Sequence, residues 1–248
     1  MAVRRLSWGE VWGRRLARHF LVEPAPRSRL VEVAGAVCGI HAQLMPSAEV
    51  SLGLRVAGMT RADLRTELWE RRSLVKTYGL RGTVHLFPAS ELQLWLAALR
   101  ANPQPRRSLP PEMTLDPPRL AAVVEAIAGA LDGQQLTRDE LGEEVARRVG
   151  PWALEPGQQA FGETRWPKWM LGIGAAAHAG VFCYGPNRGT KVTYVRVDQW
   201  VDARAAIRRR LASCRSHRAL RRSHRHLRLR RSRGAVRACG RAGHRRSA

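Results

Sequence analysis

The sequence predicts a mainly α-helical fold with small β-hairpins, an α+β class, and three observations support this prediction. Several segments carry apolar residues at three- and four-residue spacing, which is the helical period. Each half of the chain also holds two short β-prone runs that flank a glycine-containing turn. Apolar residues make up 44% and charged residues 25% of the 248 residues, as in ordinary globular proteins of one large or two small domains.

The N-terminal segment predicts two helices. Its first apolar residues recur mostly every four positions: Leu6, Trp8, Trp12, Leu16 and Phe20. This spacing predicts a helix within residues 2–20 that packs on the body, although an Arg-rich transit peptide is the alternative. A second apolar stripe begins at Leu30, and Pro46 is expected to end its helix at Gln43 or shortly after.

Two shorter helices and a hairpin follow. We expect a helix over residues 47–56, and the capping-box pair Thr60 and Asp63 starts another that runs to about residue 70. The β-prone runs 74–78 and 83–87 are separated by four residues with glycine at both corners. This pattern is typical of a β-hairpin.

The second half repeats the order after a linking helix and a proline-rich loop. The linking helix is predicted over residues 90–100, and the loop over 102–118 marks a boundary. Apolar spacing predicts the next helix over residues 120–131. The pair Thr137 and Glu140 forms another capping box and starts a helix that Gly150-Pro151 closes.

A third helix over residues 167–179 precedes runs 181–184 and 191–197, which flank a basic turn. Three helices followed by a hairpin is the layout of a winged helix-turn-helix module, whose third helix usually enters the major groove of DNA. The sequence therefore predicts tandem winged helix-turn-helix modules.

The predicted domain organisation has four parts. Residues 1–100 form the first module with its N-terminal and linking helices, and 101–118 form a proline-rich linker. Residues 119–202 form the second module, and 203–248 form an Arg-rich tail.

The charge is concentrated in that tail. The chain has 43 Lys and Arg residues against 20 Asp and Glu, and 17 of the arginines lie within residues 203–248, which contain no acid and no aromatic residue. Such a segment is expected to be disordered in isolation. We hypothesise a frameshift near residues 203–212, because a GC-rich frame read out of register gives this composition. A basic arm that clamps DNA is the alternative.

Three segments together resemble a known family: Gly-Ile-His-Ala-Gln-Leu-Met-Pro-Ser-Ala at 39–48, Leu-Arg at 54–55, and Leu-Val-Lys-Thr-Tyr-Gly-Leu-Arg-Gly-Thr-Val-His-Leu at 74–86. They resemble the AlkZ-like winged-helix DNA glycosylases of bacteria. The resemblance implies winged-helix modules around a concave, DNA-embracing surface. It also implies hydrolysis of the glycosidic bond of alkylated purines, and in some members the unhooking of interstrand crosslinks.

The family's catalytic triplet is Gln-x-Gln or Gln-x-Asp, and it aligns with His41-Ala42-Gln43, where histidine replaces the first glutamine. Alkylation at N7 already makes guanine a good leaving group, so little acid catalysis is needed. The resemblance therefore implies that Gln43 holds the attacking water through its carbonyl oxygen. Neutral His41 would accept a proton from that water or orient it.

A structural role for His41 is the alternative. It lies eleven residues after Leu30 and continues the apolar stripe of the predicted helix, which suits a buried histidine. Residues two apart on a helix point to different faces. His41 and Gln43 therefore reach one site only if the helix ends near His41.

Further residues are candidate DNA contacts. Thr83 and His85 share a face of their predicted strand, beside Arg81 in the turn, and the alternative for them is hairpin packing. The matched Leu-Arg pair contributes Arg55. The third helix and the wing of the second module are expected to contact the DNA backbone through Lys168, Arg188 and Lys191. The alternative for these three residues is a solvated charged face.

These observations predict a DNA glycosylase that acts on alkylated purines, including N7-alkylguanine adducts and crosslinks. The alternatives are a non-catalytic winged-helix DNA-binding protein and an inactive fragment. We expect double-stranded DNA as partner, a monomer, and no membrane, metal or small-molecule cofactor. Four cysteines without paired spacing, and no secretory signal, predict a cytoplasmic, nucleoid-associated protein.

Overall fold

A computed structural model describes residues 5–101, 114–159 and 165–201. The helices are α1 (Trp8–Arg18), α2 (Leu30–Ala36), α3 (Met45–Gly53), α4 (Arg61–Arg65), α5 (Leu92–Ala101), α6 (Pro117–Ala130), α7 (Arg138–Val149), α8 (Ile173–His178) and α9 (Val197–Trp200). The strands are β1 (Ile40–His41), β2 (Leu74–Tyr78), β3 (Val84–Pro88), β4 (Leu136–Thr137), β5 (Pro156–Gln159), β6 (Arg165–Pro167), β7 (Phe182–Arg188) and β8 (Lys191–Arg196). The chain is therefore mixed helix and antiparallel sheet.

Local signals in the sequence set most of these elements. The capping boxes at Thr60 and Thr137 are both present, because each hydroxyl accepts from a backbone N–H while the acid three residues later binds back. Helix α4 continues as a π-helical turn, Thr66–Glu70. The predicted helices at 60–70 and after Thr137 and the first hairpin are confirmed, as is the helix at 120–131, which forms as α6.

Three predictions from periodicity are wrong. Helix α1 forms behind a capping box at Ser7, but none of its residues is buried, so it does not pack on the body in the described part of the chain. Helix α2 ends at Ala36 rather than near Gln43. Only the second part of the predicted helix at 167–179 is α-helical, because Pro167 belongs to β6 and Lys168–Gly172 is a 3-10 turn.

One antiparallel sheet joins the two hairpins, in the order β1-β3-β2-β7-β8-β4. The hairpins meet where β2 pairs with β7, with Lys76 opposite Tyr184. At the two edges, β1 pairs with β3 and β4 pairs with β8. Each half thus repeats a short strand that pairs with the second strand of its own hairpin.

Helices bury both faces of the sheet. Residues of α2, α3 and α4 enclose the first core around Val33, Leu52 and Leu86. The second core surrounds Trp169 and lies between the second hairpin and α6, α7 and α8. On the opposite face, α5 and α9 cover a third cluster that includes Cys183 from β7.

Residues 1–4 and 160–164 lie outside this description, and so do two sets on which predictions were made. They are most of the predicted linker, 102–113, and residues 202–248, so the hypotheses about the Arg-rich tail stay predictions. None of the helices in the described ranges is long and apolar enough to cross a membrane.

Candidate active site

The candidate site is built on a sharp turn between α2 and β1. Cys38 and Gly39 both have positive φ, +65° and +90°, which ends the helix and turns the chain toward the sheet. A Cβ on Gly39 would lie only 2.5 Å from the Phe87 ring. Only glycine fits this close approach without a shift of its neighbours.

His41 in β1 and Gln43 in the bend that follows it both contact β3, through His85 and the Val84 backbone. Ile40 pairs with Leu86 and His41 with His85 across β1 and β3. Because successive residues of a strand point to opposite faces, Ile40 and Ala42 are buried in the core while His41 and Gln43 are exposed. The structure therefore excludes the alternative of a buried helical histidine at position 41.

His85 lies beneath His41 and packs against its ring. Its side chain is 4% exposed, and its ring meets the His41 ring edge to face, with 5.4 Å between the centroids. The Nδ1 atom lies 2.9 Å from the carbonyl oxygen of Thr83, which can only accept, so Nδ1 carries the proton. Burial lowers the pKa of His85, and the nearby His41 and Arg81 lower it further. His85 is therefore uncharged at neutral pH.

Gln43 is held by the backbone of β3. Its Oε1 accepts a hydrogen bond from the Val84 N–H at 3.2 Å, while the Ala42 N–H donates to the Val84 carbonyl at 2.8 Å. The side chain thus takes the place of a strand acceptor where β1 ends. This bond fixes the amide orientation and leaves the Nε2 donors and the second lone pair of Oε1 unused by Val84.

The arrangement can hold a water molecule. A fixed amide oxygen can accept from a water, and an imidazole beside it can accept a proton or orient the water. His85 below is neutral. Hydrogen-bonding groups of this kind suit a reaction in which positive charge develops on a bound sugar.

The other candidate residues of the first half lie in the first hairpin and just after α3. Thr83 and His85 belong to the same hairpin, and the Thr83 hydroxyl donates to the Leu80 carbonyl in the turn. Arg81 is exposed in that turn at φ +59°. Arg55, at the end of α3, donates to the Ser51 carbonyl and hydroxyl, and its buried Nε has no hydrogen-bond partner among the described residues.

Each of the three candidate DNA-contacting cations of the second half forms an ion pair with an acidic side chain. Lys168 contacts Glu155 at 2.6 Å, Arg188 contacts Glu140 at 2.7 Å, and Lys191 contacts Asp139 at 3.3 Å. The Thr137 backbone and then Arg188 hold the pKa of Glu140 at about 2. These cations are therefore paired in the free protein and separate from the His41 pair.

Sequence reasoning missed several residues around the site. Phe87 stacks on His85 and contacts Trp95 of α5, with centroid distances of 5.7 and 5.1 Å. Leu44, directly after Gln43, is 67% exposed. Away from the site, on the face of the sheet opposite His85, Lys76 is buried in β2 with its Nζ 5.2 Å from the Tyr184 ring centre, and burial lowers its pKa. A lysine inside an apolar strand run was the one signal that could have marked Lys76.

Metal binding is not indicated by the described residues. Within residues 5–101, 114–159 and 165–201, no three His, Cys, Asp or Glu side chains are grouped to hold a metal ion. The His and Cys residues between 214 and 244 lie outside the described part.

Comparison with known proteins identifies the family. The model of the "DNA glycosylase AlkZ-like" family matches residues 34–244. The chain belongs to the AlkZ-like DNA glycosylase family. An interstrand DNA cross-link repair glycosylase from Streptomyces sahachiroi is 36% identical over 194 residues, which are 77% of this chain and 49% of that protein.

The fold has a solved relative as well. The structure of Streptomyces sahachiroi DNA glycosylase AlkZ is 31% identical, with a TM-score of 0.63, and the match covers 81% of this chain and 52% of that one. The chain thus spans about half the length of these two relatives.

Proposed function

We propose that this chain is a DNA glycosylase that hydrolyses the N-glycosidic bond of alkylated purines, with N7-alkylguanine adducts and crosslinks as substrates. One observation carries the proposal. His41 and Gln43, which align with the family's catalytic triplet, are both exposed and contact the adjacent β3 residues His85 and Val84. Family membership and the relatives' names support DNA repair as the setting.

In the proposed reaction, Gln43 holds a water through the free lone pair of Oε1. The water oxygen bonds to the anomeric carbon as the bond from that carbon to the purine nitrogen breaks. The electron pair goes to the base and neutralises the positive charge that alkylation placed on it. His41 orients the water and takes up its proton.

His85 acts as a positioning residue in this proposal. Its ring supports the His41 ring from below, and its lowered pKa keeps it neutral. A second positive charge there would oppose the oxocarbenium character of the reacting sugar. Burial of His85 thus keeps this side of the site free of added positive charge.

We also propose that the two halves are tandem winged helix-turn-helix modules, at residues 1–100 and 119–202, that bind double-stranded DNA as a monomer. The repeated order of helices, short edge strand and hairpin supports this. A chromosomal substrate would place the protein at the nucleoid. Phosphate contacts would come from Arg55, Arg81, Thr83, Lys168, Arg188 and Lys191, whereas His85, expected from the sequence to contact DNA, is buried beneath His41 and does not reach a phosphate. Lys168, Arg188 and Lys191 would exchange their present carboxylate partners for phosphates.

The test is base release from a duplex that carries one N7-methylguanine, read as strand breaks after alkali. We expect release by the full chain, loss in Gln43→Ala, and no change in Gln93→Ala, an exposed glutamine of α5. Gln43→Glu keeps an acceptor for the Val84 N–H and should retain release. Folded protein that binds the duplex without releasing base would support the non-catalytic alternative and overturn the proposal.

A further inference from the structure

Helix α1 presents an aromatic face that no described residue covers. Trp8 and Trp12 lie one helical turn apart and are 74% and 54% exposed, and Leu16 continues the face. A Cβ added to Gly13 beside them would meet no atom within 4 Å. Exposed apolar surface of this kind marks a contact with a partner rather than a packed helix.

The same segment carries a concentrated positive charge. Four arginines lie within residues 5–22 against one acid, Glu10, which binds back to the Ser7 backbone in the capping box. The Arg15 guanidinium lies 5.3 Å from the centre of the Trp12 ring. A second copy of α1 would bring like charges together, whereas a polyanion complements them.

We propose that α1 binds DNA with unpaired bases, through stacking of the Trp8 and Trp12 indoles on the bases and contact of the arginines with phosphates. Aromatic platforms beside cationic side chains bind single strands in this way, without sequence preference. Rings rather than aliphatic chains supply most of the exposed apolar area of α1, which favours flat bases over lipid chains. Helix α1 lies outside residues 34–244, which match the family model, and contains neither His41 nor Gln43.

The test compares two labelled oligomers of equal length and charge, an oligothymidylate and a base-free phosphodiester backbone. Residues 203–248 are the same in the wild-type chain and the variants, so a change in the ratio of the two affinities isolates the contribution of Trp8 and Trp12 to base binding. We expect the full chain to prefer the base-bearing oligomer. Replacing both tryptophans with leucine should reduce this preference about 30-fold, the order expected for two lost stacks, and phenylalanine at both positions should keep it.

Three results would overturn the proposal. The first is an equal ratio in the wild-type chain and the leucine variant. The second is an unchanged ratio accompanied by weaker binding of the leucine variant to anionic phospholipid vesicles, which would assign α1 to a membrane surface. The third is a lower melting temperature in both variants, which would show that the indoles pack against protein. Binding is measured without base release, so failure of the proposed glycosylase activity leaves this test intact.

Discussion

Replacing Gly39 with alanine tests whether the turn into β1 fixes the position of His41. At φ +90° an alanine is strained by about 1–2 kcal/mol. Its Cβ would also lie 2.5 Å from Cε1 of Phe87, a fully buried ring that contacts both His85 and Trp95 and cannot swing aside. Overpacking of this kind costs about 1–3 kcal/mol. We therefore expect Gly39→Ala to lower the free energy of unfolding by about 2–5 kcal/mol.

Alanine substitutions at three other glycines separate the backbone strain from the steric clash. Gly58 has φ +67° and open space around it, so alanine there carries only the strain, about 1–2 kcal/mol. Gly79 has negative φ, but its Cβ would lie 2.6 Å from Cζ of Phe87, so only the clash applies, about 1–3 kcal/mol. Gly13 in α1 has neither a positive φ nor a close neighbour, and alanine there should raise the free energy of unfolding by about 0.5–1 kcal/mol.

Urea unfolding of the four alanine variants measures these differences, provided that the slope with denaturant stays constant. Gly39→Ala should lower the free energy of unfolding more than either Gly58→Ala or Gly79→Ala. A Gly39→Ala loss no larger than that of Gly58→Ala would show that the Phe87 ring yields, and the account of the turn would be wrong.

Three more perturbations follow from the structure. Burial lowers the pKa of His85, so its contribution to stability is complete above pH 6.5 and is lost as the pH falls through its folded value; His85→Phe should flatten the dependence of unfolding free energy on pH in that window. The folded pKa of Glu140 is about 2, and Arg188→Ala should raise the midpoint of its carboxyl titration, followed by NMR, toward the ordinary value of 4.5. An unmoved midpoint would refute the Arg188 contact. Trp169 is fully buried, and Trp169→Ala should cost about 3–5 kcal/mol in urea unfolding, whereas a loss under 1 kcal/mol would contradict the core assignment.

Short-range patterns in the sequence predicted the elements that depend on short-range contacts. The hydroxyl–acid pairs at Thr60 and Thr137 mark true helix starts, because the bonds that cap a helix join residues three apart. Glycines at both corners of 79–82 mark the first hairpin for the same reason. The expected helix through His41 was wrong, and the catalytic role of the aligned triplet stays a prediction.

Long-range contacts account for what the sequence could not predict. The spacing of apolar residues predicted that α2 continues through His41. The helix ends earlier because Cys38 and Gly39 adopt positive φ and the Phe87 ring lies against Gly39. Pairing of β2 with β7 joins residues more than 100 positions apart, and no local pattern encodes it. Amphipathic spacing in α1 indicated an apolar face but not whether the protein itself would cover it.

The central claim is that His41 and Gln43 act together on one water molecule. Single-turnover base release from the N7-methylguanine duplex by His41→Ala, Gln43→Ala and the double variant tests it most directly. Residues that act as a unit are non-additive, so the double variant should be hardly slower than the slower single variant. The shared water is ruled out if the rate reductions of the two single variants multiply in the double variant, or if both single variants release base at the wild-type rate.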